Sequence, residues 1–171
     1  GKWGTLSTEL FEFMRHYDQK TPLEEIFPEL VNAYPERYAG MTLRSLCDEM
    51  HAFKRERRMC ELLEEAYSTL PEPAVVYAEA YRSIVQGRVE HVPVEEAGGR
   101  IVATGIYPYP PGIPLLAPGE RTGLQDGPVL MYLSCLQDFD ARFPGFEHDI
   151  HGVENVKGRY MMHCIKENPH E

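Results

Sequence analysis

A chain of 171 residues with 43% hydrophobic content is long enough to bury a core, and that apolar fraction excludes intrinsic disorder. Lys and Arg total 17 against 27 Asp and Glu, a formal charge of −10 that repels nucleic acid and anionic membrane surfaces and suits cationic small molecules. No apolar run reaches the length of a membrane span and no basic-then-apolar leader opens the chain, so a cytoplasmic location is expected.

The first residue is Gly1, not Met, which an internal start would leave, so the chain is expected to be part of something longer. Leu6, Leu10, Phe13, Met14 and Tyr17 recur at helical spacing and predict an amphipathic helix near residues 5 to 18. Thr21 is expected to cap a second helix with Pro22 at its first position and Glu24 and Glu25 in its first turn, and Tyr34-Pro35 ends it. Thr42 caps a third helix, the longest, whose stripe of Leu43, Leu46, Cys47, Met50 and Phe53 runs on through Leu62, Leu63, Ala66 and Tyr67. The alternating charges of Lys54-Arg55-Glu56-Arg57-Arg58 within it read as a solvated face. Leu70-Pro71-Glu72-Pro73 breaks it, and another helix is expected from Val75 to Gln86, stopped by Gly87.

Beyond Arg88 the period changes. Val89, Val92 and Val94 read as a strand, Ala97-Gly98-Gly99 as a turn, and Arg100 to Ile106 as a second strand, separated as in a hairpin or joined by a longer connection. The segment from Tyr107 to Glu120 then packs five prolines and two glycines into fourteen residues while staying apolar. Proline fixes its own φ and pushes its predecessor toward extended backbone, so this segment is expected to be neither helix nor central strand but a stiff, buried wall. Asp126-Gly127-Pro128 starts a further helix that Phe143-Pro144-Gly145-Phe146 ends, and Arg159 to Lys166 reads as a last strand. The expected fold class is α+β: a helical N-terminal half, then a small sheet with a packed helix. It forms a single domain over 1–171, with 1–40 a helical lead-in and 41–171 the α+β body.

Self-contained chemistry is scarce. His148, Asp149 and His151, with His163 and Cys164 on the last strand, offer metal-ligand types, but their spacing fits neither a helical H-E-x-x-H nor a cysteine-rich zinc site, so no metal is expected. No G-x-S-x-G elbow occurs, and Gly98-Gly99 lacks the helix start of a phosphate loop. Cys47, Cys60, Cys135 and Cys164 form no C-x-x-C pair and read as reduced core cysteines. The five lysines, Lys2, Lys20, Lys54, Lys157 and Lys166, fall in polar or end positions where none is desolvated toward an imine-forming amine.

Several segments, in order along the chain, resemble one family. They are Lys2-Trp3-Gly4-Thr5, Met41-Thr42-Leu43-Arg44-Ser45-Leu46-Cys47-Asp48-Glu49-Met50, Gly99-Arg100, Tyr109-Pro110-Pro111-Gly112-Ile113-Pro114, Pro118-Gly119-Glu120 and Phe143-Pro144-Gly145-Phe146-Glu147. The resemblance is to the C-terminal domain of the bacterial ornithine/lysine/arginine decarboxylases. It implies a pyridoxal-phosphate enzyme whose cofactor is bound outside this chain, because the family's Ser-x-His-Lys motif is absent here. No residue of the chain is therefore assigned a catalytic or cofactor-binding role, and the isolated fragment is expected to be inactive.

The implied partners are the catalytic domain of the same enzyme, further copies in a homo-oligomer, and a cationic amino acid. The implied reaction turns arginine into agmatine, or lysine or ornithine into a diamine, serving acid resistance or polyamine supply. Arginine is slightly favoured, because Gly127-Pro128-Val129-Leu130-Met131-Tyr132-Leu133 and Phe143-Pro144-Gly145-Phe146-Glu147-His148 resemble the arginine branch. Tyr107, Tyr109, Glu120 and Glu147 are candidates to line a substrate channel, the carboxylates attracting a cationic tail. The alternative is a stand-alone interaction module, without an enzymatic parent, that presents the proline-rich loop to another protein.

Overall fold

The computed structural model describes residues 2–110 and 112–166. The chain divides into two compact units, Gly1–Arg57 and Arg58–Glu171. The division falls inside the expected third helix and not at residue 40. That helix is two: α5 (Leu43–Glu56) and α6 (Met59–Ser68), separated at Arg58, whose φ of 52° is left-handed. A left-handed residue cannot continue a right-handed helix, so the helix stops there although the apolar stripe carries on in sequence. Lys54 to Arg58 are exposed, as a solvated face requires.

The first unit is helical. It comprises α1 (Lys2–Gln19), α2 (Leu23–Ile26), α3 (Pro28–Ala33), α4 (Pro35–Tyr38) and α5. A proline at the first position of α3 resets the chain, so the expected second helix is two short ones, α2 and α3, and Pro35 opens α4 where that helix is expected to end. Thr21 does not cap α2, which starts one residue later with Pro22 in the N-cap place. Instead Thr21 is buried, with its hydroxyl 3.1 Å from His16 Nδ1 and its carbonyl accepting from Leu43 N. Thr42 does cap α5: its hydroxyl accepts from Ser45 N, and the Ser45 hydroxyl accepts from Thr42 N. Among the described residues, the last turns of α1 carry its polar ties to α5. Tyr17 donates to Asp48, and Arg44 bonds Tyr17 O and Asp18 while lying 4.7 Å from the Tyr17 ring centroid. Earlier along α1, Leu6, Leu10, Phe13 and Met14 keep the expected helical spacing but stand exposed.

The second unit contains α6, α7 (Tyr77–Val85), β1 (Val89–Pro93), a 3-10 turn (Val94–Glu96), β2 (Tyr107–Tyr109), α8 (Pro128–Arg142), β3 (Asp149–His151), β4 (Val153–Val156) and β5 (Arg159–Ile165). Its main sheet is antiparallel in the order β1-β5-β4. The expected hairpin does not form: β1 pairs with the distant β5, and residues 100–106 make only isolated bridges, Ile101 to Arg121, Val102 to Cys164 and Ile106 to Leu116. Burial explains this. β5 carries Tyr160, Met162 and Cys164 on its inner face, which makes it the natural centre for two flanking strands.

The proline-rich segment starts as a strand, since β2 pairs with β3 through Tyr107↔His151 and Tyr109↔Asp149. It is an edge strand, where proline is tolerated. The wall is buried at Pro108, Leu115 and Leu116 and exposed at Tyr109, Pro110, Ile113 and Pro114; Pro111 lies outside the described residues. α8, begun by Pro128 after Gly127, is the most buried element and packs against α6 and β5. Cys135 and Cys164 are buried and Cys47 is half-buried, but Cys60 is exposed, so not every cysteine belongs to the core. No described helix is long and apolar enough to cross a membrane.

Candidate functional site

Beside the β2–β3 ribbon lies a cavity of about 360 Å³. Tyr77, Tyr81 and Ile84 of α7 line one side, and Thr104, Tyr107 and His151 line the other. The ribbon's register sets Tyr107 opposite His151, and the Tyr109 ring lies 4.7 Å from the His151 ring, tilted by 44°. Two glycines allow this closeness. Gly152 has a φ of 87°, and a Cβ on it would sit 2.0 Å from the Gly105 carbonyl oxygen; a Cβ on Gly105 would meet the Tyr107 ring at 2.5 Å. The loops at Gly105 and Gly152 therefore approach backbone to backbone along one wall of the cavity.

Behind α8 a polar network is buried. Asp140, 5% exposed, accepts from His148 N at 3.1 Å, sits 2.6 Å from His148 Nδ1, and accepts from the Tyr160 hydroxyl. Burial and the Asp140 hydrogen bond push the Tyr160 phenol far above the ordinary tyrosine range, so it stays a donor. Gln137 extends the network, accepting from Tyr160 N at 2.5 Å and donating to Glu95 at 2.7 Å. Burial raises the Glu95 carboxyl, but the hydrogen bond from Gln137, its own backbone and Arg159 outweigh that and leave it below the usual range. The network joins α8, β5 and the 3-10 turn, and its parts saturate one another, which suits a structural role.

The carboxylate candidates are both engaged by backbone. Glu120 accepts from Ala117 N at 2.7 Å and closes its own turn, and Glu147 accepts from Gly145 N at 2.8 Å. Tyr107 lines the cavity, and Tyr109 lies outside it on the exposed side of the same ribbon. The metal-ligand types noted in the sequence do not converge on one point: His148 belongs to Asp140, His151 and Asp149 face each other at 3.5 Å on the ribbon, and Cys164 belongs to the buried sheet face. His163 instead meets His91 and Glu154.

Comparison with known proteins decides the family. The description "Orn/Lys/Arg decarboxylase, C-terminal domain" matches residues 60–166, nearly all of the described second unit. The chain belongs to the Orn/Lys/Arg decarboxylase family. It is 48% identical over 166 residues to the biodegradative arginine decarboxylase of Escherichia coli (strain K12), covering 97% of this chain and 22% of that protein. It is 44% identical to lysine decarboxylase LdcA of Pseudomonas aeruginosa, covering 98% of this chain and 23% of the relative. The solved structure of lysine decarboxylase A from Pseudomonas aeruginosa superposes with a TM-score of 0.89 at 43% identity, covering 97% of this chain and 23% of the other. The chain thus spans less than a quarter of the length of these decarboxylases and corresponds to their C-terminal region, and the expected α+β class holds.

Within this decarboxylase domain, Lys20, Lys54, Lys157 and Lys166 are all exposed. None of these four sits in an apolar pocket that would shield its amine from water, so the described residues do not fit pyridoxal phosphate. Sequence reading missed His91, Glu154, Asp140 and the α7 tyrosines. Only the alternation of His91 with buried Val92, and of His163 with buried Met162 and Cys164, carried a signal, placing both imidazoles on the outer face of their strands.

Proposed function

We propose that this domain closes a basic amino-acid decarboxylase by docking on a larger catalytic part that holds the cofactor. The observation that carries the reading is uncovered apolar surface. Trp3 and Phe11 of α1 are 83% and 71% exposed, and Tyr77, Tyr81 and Val85 of α7 are 68%, 62% and 68% exposed. Apolar faces of this extent on helices belong to interfaces. The relatives are more than four times as long, which leaves room for a matching surface outside this domain, and a homo-oligomer would use more of it.

In that enzyme pyridoxal phosphate, held outside this chain, supplies the electron sink for loss of carbon dioxide. Tyr107 is assigned to the substrate passage, because it is the channel candidate that faces a cavity, while Glu120 and Glu147 are assigned to their own turns. Arginine is the favoured substrate, supported by the higher identity to the arginine enzyme than to the lysine enzyme. The net charge of −10 favours a cationic substrate. The test is steady-state decarboxylation of arginine, lysine and ornithine by the full-length enzyme, wild type and Tyr107→Ala. The highest kcat/KM on arginine and a raised KM in the variant are expected. An unchanged KM removes Tyr107 from the passage, and a gene product of only this length, without activity, would return the stand-alone interaction module.

A further inference from the structure

We propose a divalent-cation site of the zinc class on the outer face of the β1-β5-β4 sheet, formed by His91, Glu154 and His163. Each of the three strands contributes one ligand. His91 and His163 are direct cross-strand partners in the β1–β5 register, and Glu154 lies diagonally on β4, whose Glu154 pairs with Met161. Alternation fixes the face: Val92, Met162 and Cys164 point into the core, so His91, Met161 and His163 point away from it.

The donor atoms converge. Glu154 Oε1 is 3.1 Å from His163 Nε2, and Glu154 Oε2 is 3.7 Å from His91 Nδ1. All three ligand atoms lie within 4.8 Å of one another. A tetrahedral zinc with bonds of about 2.0–2.1 Å sets its donors about 3.3 Å apart, and each histidine nitrogen already lies near that spacing from one of the two Glu154 oxygens. Turning the carboxylate to offer a single oxygen, with small rotations of the rings that now stack 4.2 Å apart at 22°, brings the three donors to the metal. Two imidazoles and a carboxylate form a ligand set that zinc accepts with one position left open. That open position faces solvent, since the His91 and Glu154 side chains are 50% and 53% exposed and His163 is 26% exposed.

The chemistry also accounts for the juxtaposition. A cation taking the place of the ring hydrogens that face Glu154 would satisfy both imidazole nitrogens and the carboxylate at once. Bound there, the metal would clip the two flanking strands to central β5, tying together residues far apart in sequence. This site is independent of the decarboxylation reading, because none of its residues lines the cavity beside Tyr107.

The test uses the full-length enzyme without a histidine tag, stripped with chelator and dialysed against zinc. Bound zinc is measured by atomic emission, and bound cobalt by absorption, for wild type, H91A/H163A and E154Q. Wild type should retain one more zinc per chain than H91A/H163A, and E154Q should bind more weakly. Zinc should raise the thermal midpoint of wild type alone, and the cobalt spectrum should lack a thiolate band. Equal zinc in wild type and H91A/H163A overturns the proposal, as does a thiolate band showing that a cysteine holds the metal. If the double variant does not fold, H91Q and H163Q read singly decide in the same way.

Discussion

Replacing Gly152 by alanine should cost far more than the same change at Gly158, although both glycines are left-handed at similar φ, 87° and 83°. The conformational penalty is therefore shared and is about 1 kcal/mol for an alanine at either position. The surroundings differ. Nothing lies within 4 Å of a Cβ built on Gly158, whereas one on Gly152 would meet Gly105 O at 2.0 Å and Gly105 C at 3.0 Å. Both colliding groups are backbone, so no side chain can turn aside. Either the β3–β4 turn or the loop at Gly105 must shift, at an overpacking cost of about 1–3 kcal/mol, giving roughly 2–4 kcal/mol in all for Gly152→Ala. Urea unfolding of the 171-residue chain reads the difference as a lower midpoint at unchanged slope. Equal losses in the two variants would refute the reasoning, because the close approach of the two loops would then carry no energy. In the full-length enzyme the same change should disturb the cavity, since Gly105, Tyr107 and Gly152 all line it.

Thr42→Ala removes one half of the reciprocal cap on α5 and should cost about 1 kcal/mol, read by the same unfolding measurement, with Thr42→Ser close to wild type. Asp140→Ala strips a buried acceptor from both His148 and Tyr160 and should cost on the order of 3 kcal/mol; a loss below 1 kcal/mol would show the network to be dispensable. The Tyr132 phenol, only 6% exposed, is pushed up to about 12, mainly by burial. A raised phenol pKa gives stability that is fully present below pH 10 and is lost as pH rises through about 12, because the unfolded chain ionises first. The contribution is roughly 2–3 kcal/mol, so Tyr132→Phe should flatten the fall in stability above pH 10, and an unaltered slope would contradict the assignment.

Local chemistry in the sequence was enough for the helices whose ends carry their own signals. Thr42 with Ser45, Gly127 with Pro128, and Phe143 before Pro144 mark boundaries through hydrogen bonds and steric limits that act within a few residues. The break at Arg58 had no such mark, because a left-handed arginine carries no residue-type signature and the apolar stripe continues across it. The exposed stripe of α1 shows the same limit in another way: periodicity determined that Leu6, Leu10 and Met14 share a face, but not what covers it.

The family was legible in ordered motifs, since residues that recur together identify a lineage without any knowledge of contacts. The sites were not. Tyr107 meets His151, Asp140 meets Tyr160, and His91 meets His163 only because strand pairing and helix packing join segments far apart in the chain. By itself the sequence determined the acidic composition, the starts of α5 and α8 and the decarboxylase lineage, all of which depend on residue identity or on near neighbours. The tertiary structure alone decided which strand lies beside β5 and which side chains converge, because those outcomes depend on burying the shared inner face of a sheet assembled from distant segments.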